Sequence, residues 1–340
     1  MSQFLIDNII ASSGINLNNP TIPASPSDTG TAGDIVWDSN YVYVCIATDT
    51  WKRFALSGFG GVWTQVGADI DGEAADDKSG YSVAMSSDGS RVAIGARYND
   101  GTGADAGHVR VYDLIGSTWT QVGADIDGEA AGDYSGYSVA ISSDGSRVVI
   151  GAYNNDGTGA DAGHVRVFDL VGSTWTQVGS DIDGEAAGDR NGSSVAISSD
   201  GSRVAIGAHD NDGTGANAGH VRVFDLVGST WTQVGSDIDG EVAGDYSGWS
   251  VAMSSDGSRV AIGAHFNDAL GSSYTGHVRV FDLVGSTWTQ VGSDIDGEAG
   301  QDQSGFSVAM SSDGSRVAIG ATLNDGNGTD AGHVRVFDWA

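Results

Sequence analysis

Cysteine is almost missing from this chain. Cys45 stands alone among 340 residues, so no disulfide can close within the chain and no thiolate zinc cluster can form. Basic residues are scarce too: 15 Lys and Arg face 45 Asp and Glu, a net charge of −30. That balance offers no footprint for nucleic acid or an anionic membrane, both of which need clustered cations. Proline occurs only at Pro20, Pro23 and Pro26, in one short stretch that reads as an extended, stiff connector. No apolar run approaches the length of a membrane span, and Met1–Ile10 lacks the basic flank and apolar stretch of a signal peptide. The expectation is a protein made soluble in the cytosol. Glycine, by contrast, is abundant: 53 residues suggest many short strands and tight turns.

What fills the chain is one unit copied five times, marked by Trp63, Trp119, Trp175, Trp231 and Trp288 at spacings of 56, 56, 56 and 57 residues. Each copy holds four strand candidates separated by Gly, Asp, Asn and Ser clusters. In the second copy the first strand is Tyr137–Ser142, the second Arg147–Ala152, the third His164–Asp169, and the fourth Trp175–Gly179. In the second strand Val148 and Ile150 point one way, Val149 and Gly151 the other, so both sheet faces are apolar or small. A four-stranded sheet this small cannot bury both faces alone, so the copies must stack on each other. Radial stacking of such sheets is a β-propeller. The repeats begin at Trp63 with a fourth strand and end at Ala340 just after a third, so the first strand is expected to complete the last sheet and close the ring. An open stack of five sheets is the alternative, with unpaired edges.

Ahead of the repeats, Gly33–Asp38, Tyr41–Thr48 and Trp51–Ala55 are rich in β-branched and aromatic residues and predict a small β module. Ser57–Gly61 then supplies a pliable joint. The division expected is residues 1–58, an N-terminal attachment module with the proline connector, and 59–340, the propeller.

Antiparallel order puts the turns between first and second strands and between third and fourth on one side of the ring. Those turns hardly change: Ser-Ser-Asp-Gly-Ser recurs at 86–90, 142–146, 198–202, 254–258 and 311–315. The opposite side carries the drift. Before each (Ser/Asn)-Gly step stands Lys78, Tyr134, Arg190, Tyr246 or Gln303, and after it Tyr81, Tyr137, Ser193, Trp249 or Phe306. After the second strand come Arg97-Tyr98, Tyr153-Asn154, His209-Asp210, His265-Phe266 and Thr322-Leu323, and the single insertion, within Asn267–Thr275, lies there as well. Aromatic, His and Arg side chains gathered on one rim suit a contact surface, because they bring large area at low entropy cost. Lys78, Tyr81, Arg97, Tyr98, Tyr134, Tyr137, Tyr153, Arg190, His209, Tyr246, Trp249, His265, Phe266 and Phe306 are therefore the candidate ligand-binding residues. Neutral drift in surface loops is the competing reading.

Other chemistry finds little support. Asp125, Asp127, Glu129 and Asp133 recur in every copy and are the one set that could hold calcium, although turns of this kind commonly cap their own backbone and the spacing is not that of an EF-hand. The histidines His108, His164, His220, His277 and His333 each sit at the same point of a separate copy, so they should lie far apart and serve structure. Arg166 and Asp169 read as sheet or inter-blade ion pairs. No phosphate loop, zinc-protease motif or nucleophile elbow occurs. No cofactor and no catalytic residue is expected.

Ser135–Ala140, Ile150–Ala152 and Gly163–Phe168 resemble the FG-GAP repeats of integrin-α-type β-propellers, a resemblance that covers residues 62 to 340. It departs where the family has Phe, here Ser79, Ser135, Asn191, Ser247 or Ser304, and where it has Pro, here Arg97, Tyr153, His209, His265 or Thr322. The family's calcium loop is reduced to Ser-Ser-Asp-Gly-Ser, which counts against calcium of that type. The resemblance implies a ligand face built from the drifting loops. Integrin propellers have seven blades against five here, which implies a smaller ring or completion by oligomerisation. Residues 30–55 resemble a segment of structural and tail-fibre proteins from tailed phages of cyanobacteria. Together these imply a non-enzymatic virion protein, assembled in the host cytoplasm. Its residues 1–58 would engage other virion proteins, and its propeller a host receptor or glycan. A decoration or spacer on capsid or tail and, more remotely, a glycan-degrading enzyme are the alternatives.

Overall fold

The computed structural model describes residues 29, 31–32, 34–37, 41–55, 63–268 and 272–339. The proline connector, the Ser57–Gly61 joint and Met1–Ile10 lie outside the described residues. The chain divides into two compact units, Met1–Val66 and Gly67–Ala340.

In the first unit Ile35–Trp37, Tyr41–Ala47 and Thr50–Ala55 pair consecutively as an antiparallel sheet. Val36, Cys45 and Trp51 form its small core, and the Cys45 thiol donates to the Ala47 carbonyl at 3.0 Å.

The second unit is all β, with no helix among its described residues. Four sheets repeat one antiparallel order. In the second copy the strands are Ser138–Ile141, Arg147–Ala152, His164–Val171 and Thr174–Gln177, side by side in that order. A fifth strand, Ile182–Asp183, pairs with the start of the third, so the fourth strand is interrupted and resumes further along the same neighbour. Sequence reasoning missed this piece because two residues carry no periodicity.

Stacking follows the apolar pattern. One face of the first sheet (Ala93, Val109, Val111, Ile126) packs on the opposite face of the second (Val148, Ile150, Phe168, Trp175), and the contact recurs between the second and third, the third and fourth, and the fourth and fifth. Full burial of each valine is worth roughly 1.5–3 kcal/mol, so these seams supply most of the cohesion. Glycine in the second strand sets how close the sheets come. A Cβ at Gly151 would lie 2.1 Å from the Gly192 carbonyl oxygen. Ser138 Oγ donates to that same oxygen at 2.7 Å.

The constant turns have a reason not to drift. Backbone N–H groups of Ser87, Ser143, Ser199 and Ser255 donate in series to the carbonyls of Ser143, Ser199, Ser255 and Ser312 at 2.7–2.9 Å. Within each turn the aspartate gathers its own hydroxyls and backbone, as Asp144 does with Ser142 and Ser146. Arg147 grips Asp169 through two bonds of 2.6 and 2.7 Å and donates to Gly201 of the next sheet at 2.7 Å. The ion pair of Asp169 is therefore with Arg147 rather than with Arg166, which instead donates to the Asp127 carbonyl of the preceding copy at 2.6 Å.

The strand expected at Trp63 does not form. Residues 63–66 make no strand, Trp63 is fully exposed, and the last sheet has three strands, Ser304–Met310, Arg316–Ala321 and His333–Asp338. Trp339 takes the seat that a fourth-strand tryptophan fills in the other copies. It stands where the other copies have Leu114, Leu170, Leu226 and Leu283, and its ring lies over Gly292, 3.1 Å from where a Cβ there would be. In the second copy the fourth-strand Trp175 takes that seat over Gly123, at 2.7 Å. The place of the missing strand's tryptophan is thus filled from within the last sheet. Two faces stay open: Val83 and Met85 on the first sheet, and Val334 (67% exposed) and Val336 on the last, whereas the equivalent Val109 and Val111 are buried.

Candidate functional site

The drifting positions converge. The Tyr134 and Tyr153 rings, from the two different loop types, stack at 5.6 Å, so both loops emerge on one side. Tyr137 packs on Tyr153 at 4.1 Å and on Tyr81 at 5.1 Å, and Tyr98 meets Tyr134 edge-on at 5.3 Å. The Arg97 guanidinium lies 3.8 Å from the Tyr81 centroid and 4.5 Å from that of Tyr98, within the range where a cation over a ring face is attracted. Toward the other end His209, Tyr246, Trp249, His265, Phe266 and Phe306 continue the series, with Trp249 against His265 at 4.4 Å and Tyr246 against Phe266 at 5.2 Å. Ser193 interrupts the rings between the two groups. A polar bridge crosses there: Arg190 sits 5.7 Å from the Tyr153 ring and 3.1 Å from Asp210, which lies 3.5 Å from His209. One ribbon of rings and cations therefore spans all five copies.

Thirteen of the fourteen candidate residues join that ribbon. Lys78 does not; it is exposed and pairs only with Asp76, at 3.1 Å. Sequence reasoning missed two members, Asp210 and Tyr274. Tyr274 packs on Phe266 at 5.0 Å. Its signal was its place in the one insertion, at the point where the other copies carry Asp105, Asp161, Asn217 or Asp330.

The backbone beneath the ribbon is strained at a repeated point. Lys78, Tyr134, Arg190, Tyr246 and Gln303 all have φ between 55° and 57°, the left-handed region that disfavours side chains other than Gly or Asn. Glycine would fit the geometry at no steric penalty, yet none of the five copies uses it. Strained residues persist where the surroundings hold them, and they gather at functional sites. Burial tunes the polar members. It pushes the Tyr137 hydroxyl upward, helped by a hydrogen bond with Tyr81, and depresses His209 to about 3 and His265 to about 4. Both imidazoles are neutral near pH 7, and their Nδ1 atoms lie buried without a partner. Such a surface can stack on flat apolar faces and hydrogen-bond along its edges.

The carboxylates considered for calcium do not converge on one point. Asp133 is buried and accepts from Ala130 N–H at 2.9 Å and Asn155 Nδ2 at 3.0 Å, capping its own loop. Asp125 and Glu129 turn toward histidines of different copies, His108 and His164.

Comparison with known proteins places the repeat and the fold. The solved structures of hydrazine synthase from Kuenenia stuttgartiensis (TM-score 0.52, 15% identity, 96% of this chain and 80% of that one) and the periplasmic gluconolactonase PpgL of Pseudomonas aeruginosa (TM-score 0.51, 15% identity, 83% and 72%) share the propeller-like arrangement of sheets. Depolymerase 1 of Klebsiella phage K5-2, specific for capsule K30/K69, is 60% identical over 37 residues, which are 11% of this chain and 5% of that protein. Residues 124–168, spanning the second copy from its entry loop to its third strand, match the FG-GAP repeat family.

Proposed function

We propose that this chain is a phage virion protein, a tail fibre or similar appendage, that uses the ring-and-cation ribbon to bind a glycan or receptor on the host surface. The observation that carries the reading is the continuous ribbon itself, in which Tyr134, Arg190 and Tyr246 are held at a repeated left-handed position. The fold would be better served by Gly there, so selection for those side chains, rather than neutral drift, accounts for the strain. The 37-residue match to a phage depolymerase supports a place on the particle. Residues 1–58 would then attach to other virion proteins.

Sugar rings present flat C–H faces that suit Tyr and Trp, while Arg97, Arg190 and the tyrosine hydroxyls address their edges. A net charge of −30 repels polyanions, so a neutral glycan fits better than an acidic one. Single contacts would be weak, and several copies per particle would raise the avidity. Catalysis is not part of the proposal, since the ribbon holds no nucleophile paired with a base.

Changing Tyr137, Tyr153, Trp249 and Phe266 together to Ala, with folding checked by circular dichroism, is expected to abolish adsorption to host cells. Unchanged adsorption by a folded variant would refute the recognition face and favour a spacer role. Deleting residues 1–58 is expected to prevent incorporation into particles; normal incorporation would refute the attachment role.

A further inference from the structure

Away from the ribbon, the five histidines that repetition spreads through the chain each face carboxylates of their own. His164 is buried, with its side chain 1% exposed, and its Nδ1 lies 3.8 Å from Glu129 Oε2 and 3.9 Å from Asp181 Oδ2. The same trio recurs as Glu73, His108 and Asp125, as Glu185, His220 and Asp237, and as Glu241, His277 and Asp294, with one donor atom from each residue within 4.8 Å of the others. In the first trio the buried His108 Nδ1 has no hydrogen-bond partner and points at Glu73 from 3.8 Å.

We propose that each trio is a binding site for a divalent transition-metal ion of the zinc type, held by imidazole Nδ1 and two carboxylate oxygens with water completing the shell. Tetrahedral zinc with bonds of about 2.0–2.2 Å sets its donors roughly 3.3–3.5 Å apart. The imidazole–carboxylate gaps of 3.8 and 3.9 Å in the second trio would close by about half an ångström, and donor pairs as far as 4.8 Å apart by more than an ångström. One nitrogen and two oxygens suit zinc better than calcium, which takes six to eight oxygens.

The carboxylates are already oriented. Gln177 donates to Asp181 Oδ1 at 2.6 Å, which leaves Oδ2 for the ion. Arg166 stands 3.7 Å from Glu129 Oε1, which leaves Oε2. Glutamines hold the third ligand in the other sites too, at 2.5 Å in the first and 2.7 Å in the third and fourth. Such supporting contacts normally accompany metal ligands. Glu129 arrives on the loop from the preceding copy while His164 and Asp181 belong to the second sheet, so an ion would tie each loop to the sheet it enters. The last copy pairs His333 only with Glu298, at 3.6 Å, and belongs to no such trio among the described residues.

Titration of the chelator-stripped full chain with Zn2+ by calorimetry is expected to give four equivalents, one per trio. Asp181→Asn should remove one equivalent and Asp181→Asn with Asp237→Asn two, with the far-ultraviolet dichroism unchanged because both aspartates lie partly exposed. If either variant fails to fold, Glu185→Gln, at a residue nearly half exposed, takes its place and should also remove one. Substituting Co2+ should give visible absorption that falls by a quarter with each site removed. Fewer than one equivalent of bound Zn2+, a stoichiometry indifferent to these substitutions, or displacement of Zn2+ by equimolar Ca2+ would overturn the proposal.

Discussion

Gly151 and Gly320 occupy the same position of the repeat, and replacing each with alanine isolates what a neighbouring sheet contributes. Neither has a positive φ, so alanine meets no backbone strain at either place, and any gain from stiffening the unfolded chain is equal in both. A Cβ at Gly151 would sit 2.1 Å from the Gly192 carbonyl oxygen and 2.4 Å from Ser138 Oγ. Ordinary contact starts at 3.4 Å, well over an ångström further out, so the second and third sheets must separate, straining the packed seam and weakening the Ser138–Gly192 hydrogen bond. Overpacking of this kind costs roughly 1–3 kcal/mol and the hydrogen bond about 1 more, a loss on the order of 3 kcal/mol. At Gly320 the close atom is the Ser307 hydroxyl, at 2.4 Å, with no carbonyl from another sheet. A serine side chain can rotate away, so Gly320→Ala should lose less than about 1 kcal/mol. Urea unfolding followed by tryptophan fluorescence would measure both. Equal, large losses would refute the open last face and show it covered by another sheet. Equal, small losses would refute glycine-limited spacing.

Two further outcomes follow from the geometry. Lys78 is left-handed at φ 55° and holds only an exposed ion pair, so Lys78→Gly should stabilise the chain by about 0.5–1 kcal/mol in urea unfolding, the left-handed penalty less the entropy of glycine. Stability should also fall with acid. His209 and His265 bind protons near pH 6.5 when unfolded but only near 3 and 4 when folded, so protons favour the unfolded chain as pH drops from about 6.5 to 4. The raised carboxylates Glu129, Glu185 and Glu241 act in the opposite sense, so the comparison is with His209→Asn/His265→Asn, whose unfolding midpoint should depend less on pH through that window.

Much of the fold was legible because repetition filters it. The first to fourth strands, their order and the two-sided distribution of loops all follow from alternation in stretches such as Arg147–Ala152, whose limits agree to the residue. That the last sheet has three strands was not legible. Trp339, a single aromatic in place of leucine, takes the seat of a fourth-strand tryptophan, and what it touches depends on three-dimensional position rather than on pattern. The candidate face was readable because drift among copies marked it, whereas the left-handed strain beneath it was not, since Tyr and Arg give no sequence sign of positive φ. The histidine trios were hidden for a different reason. Glu129, His164 and Asp181 are separated by 35 and 17 residues, and only the interrupted fourth strand brings the aspartate back alongside the third.

The most direct test of a recognition role is hydroxyl-radical footprinting of the intact chain bound to host-envelope material. Protection is expected at Tyr98, Tyr134, Tyr153, Tyr246 and Phe266, with none at the Ser143–Asp144 and Ser199–Asp200 turns. Protection of those turns alone, or no protection under conditions where binding is complete, would contradict it.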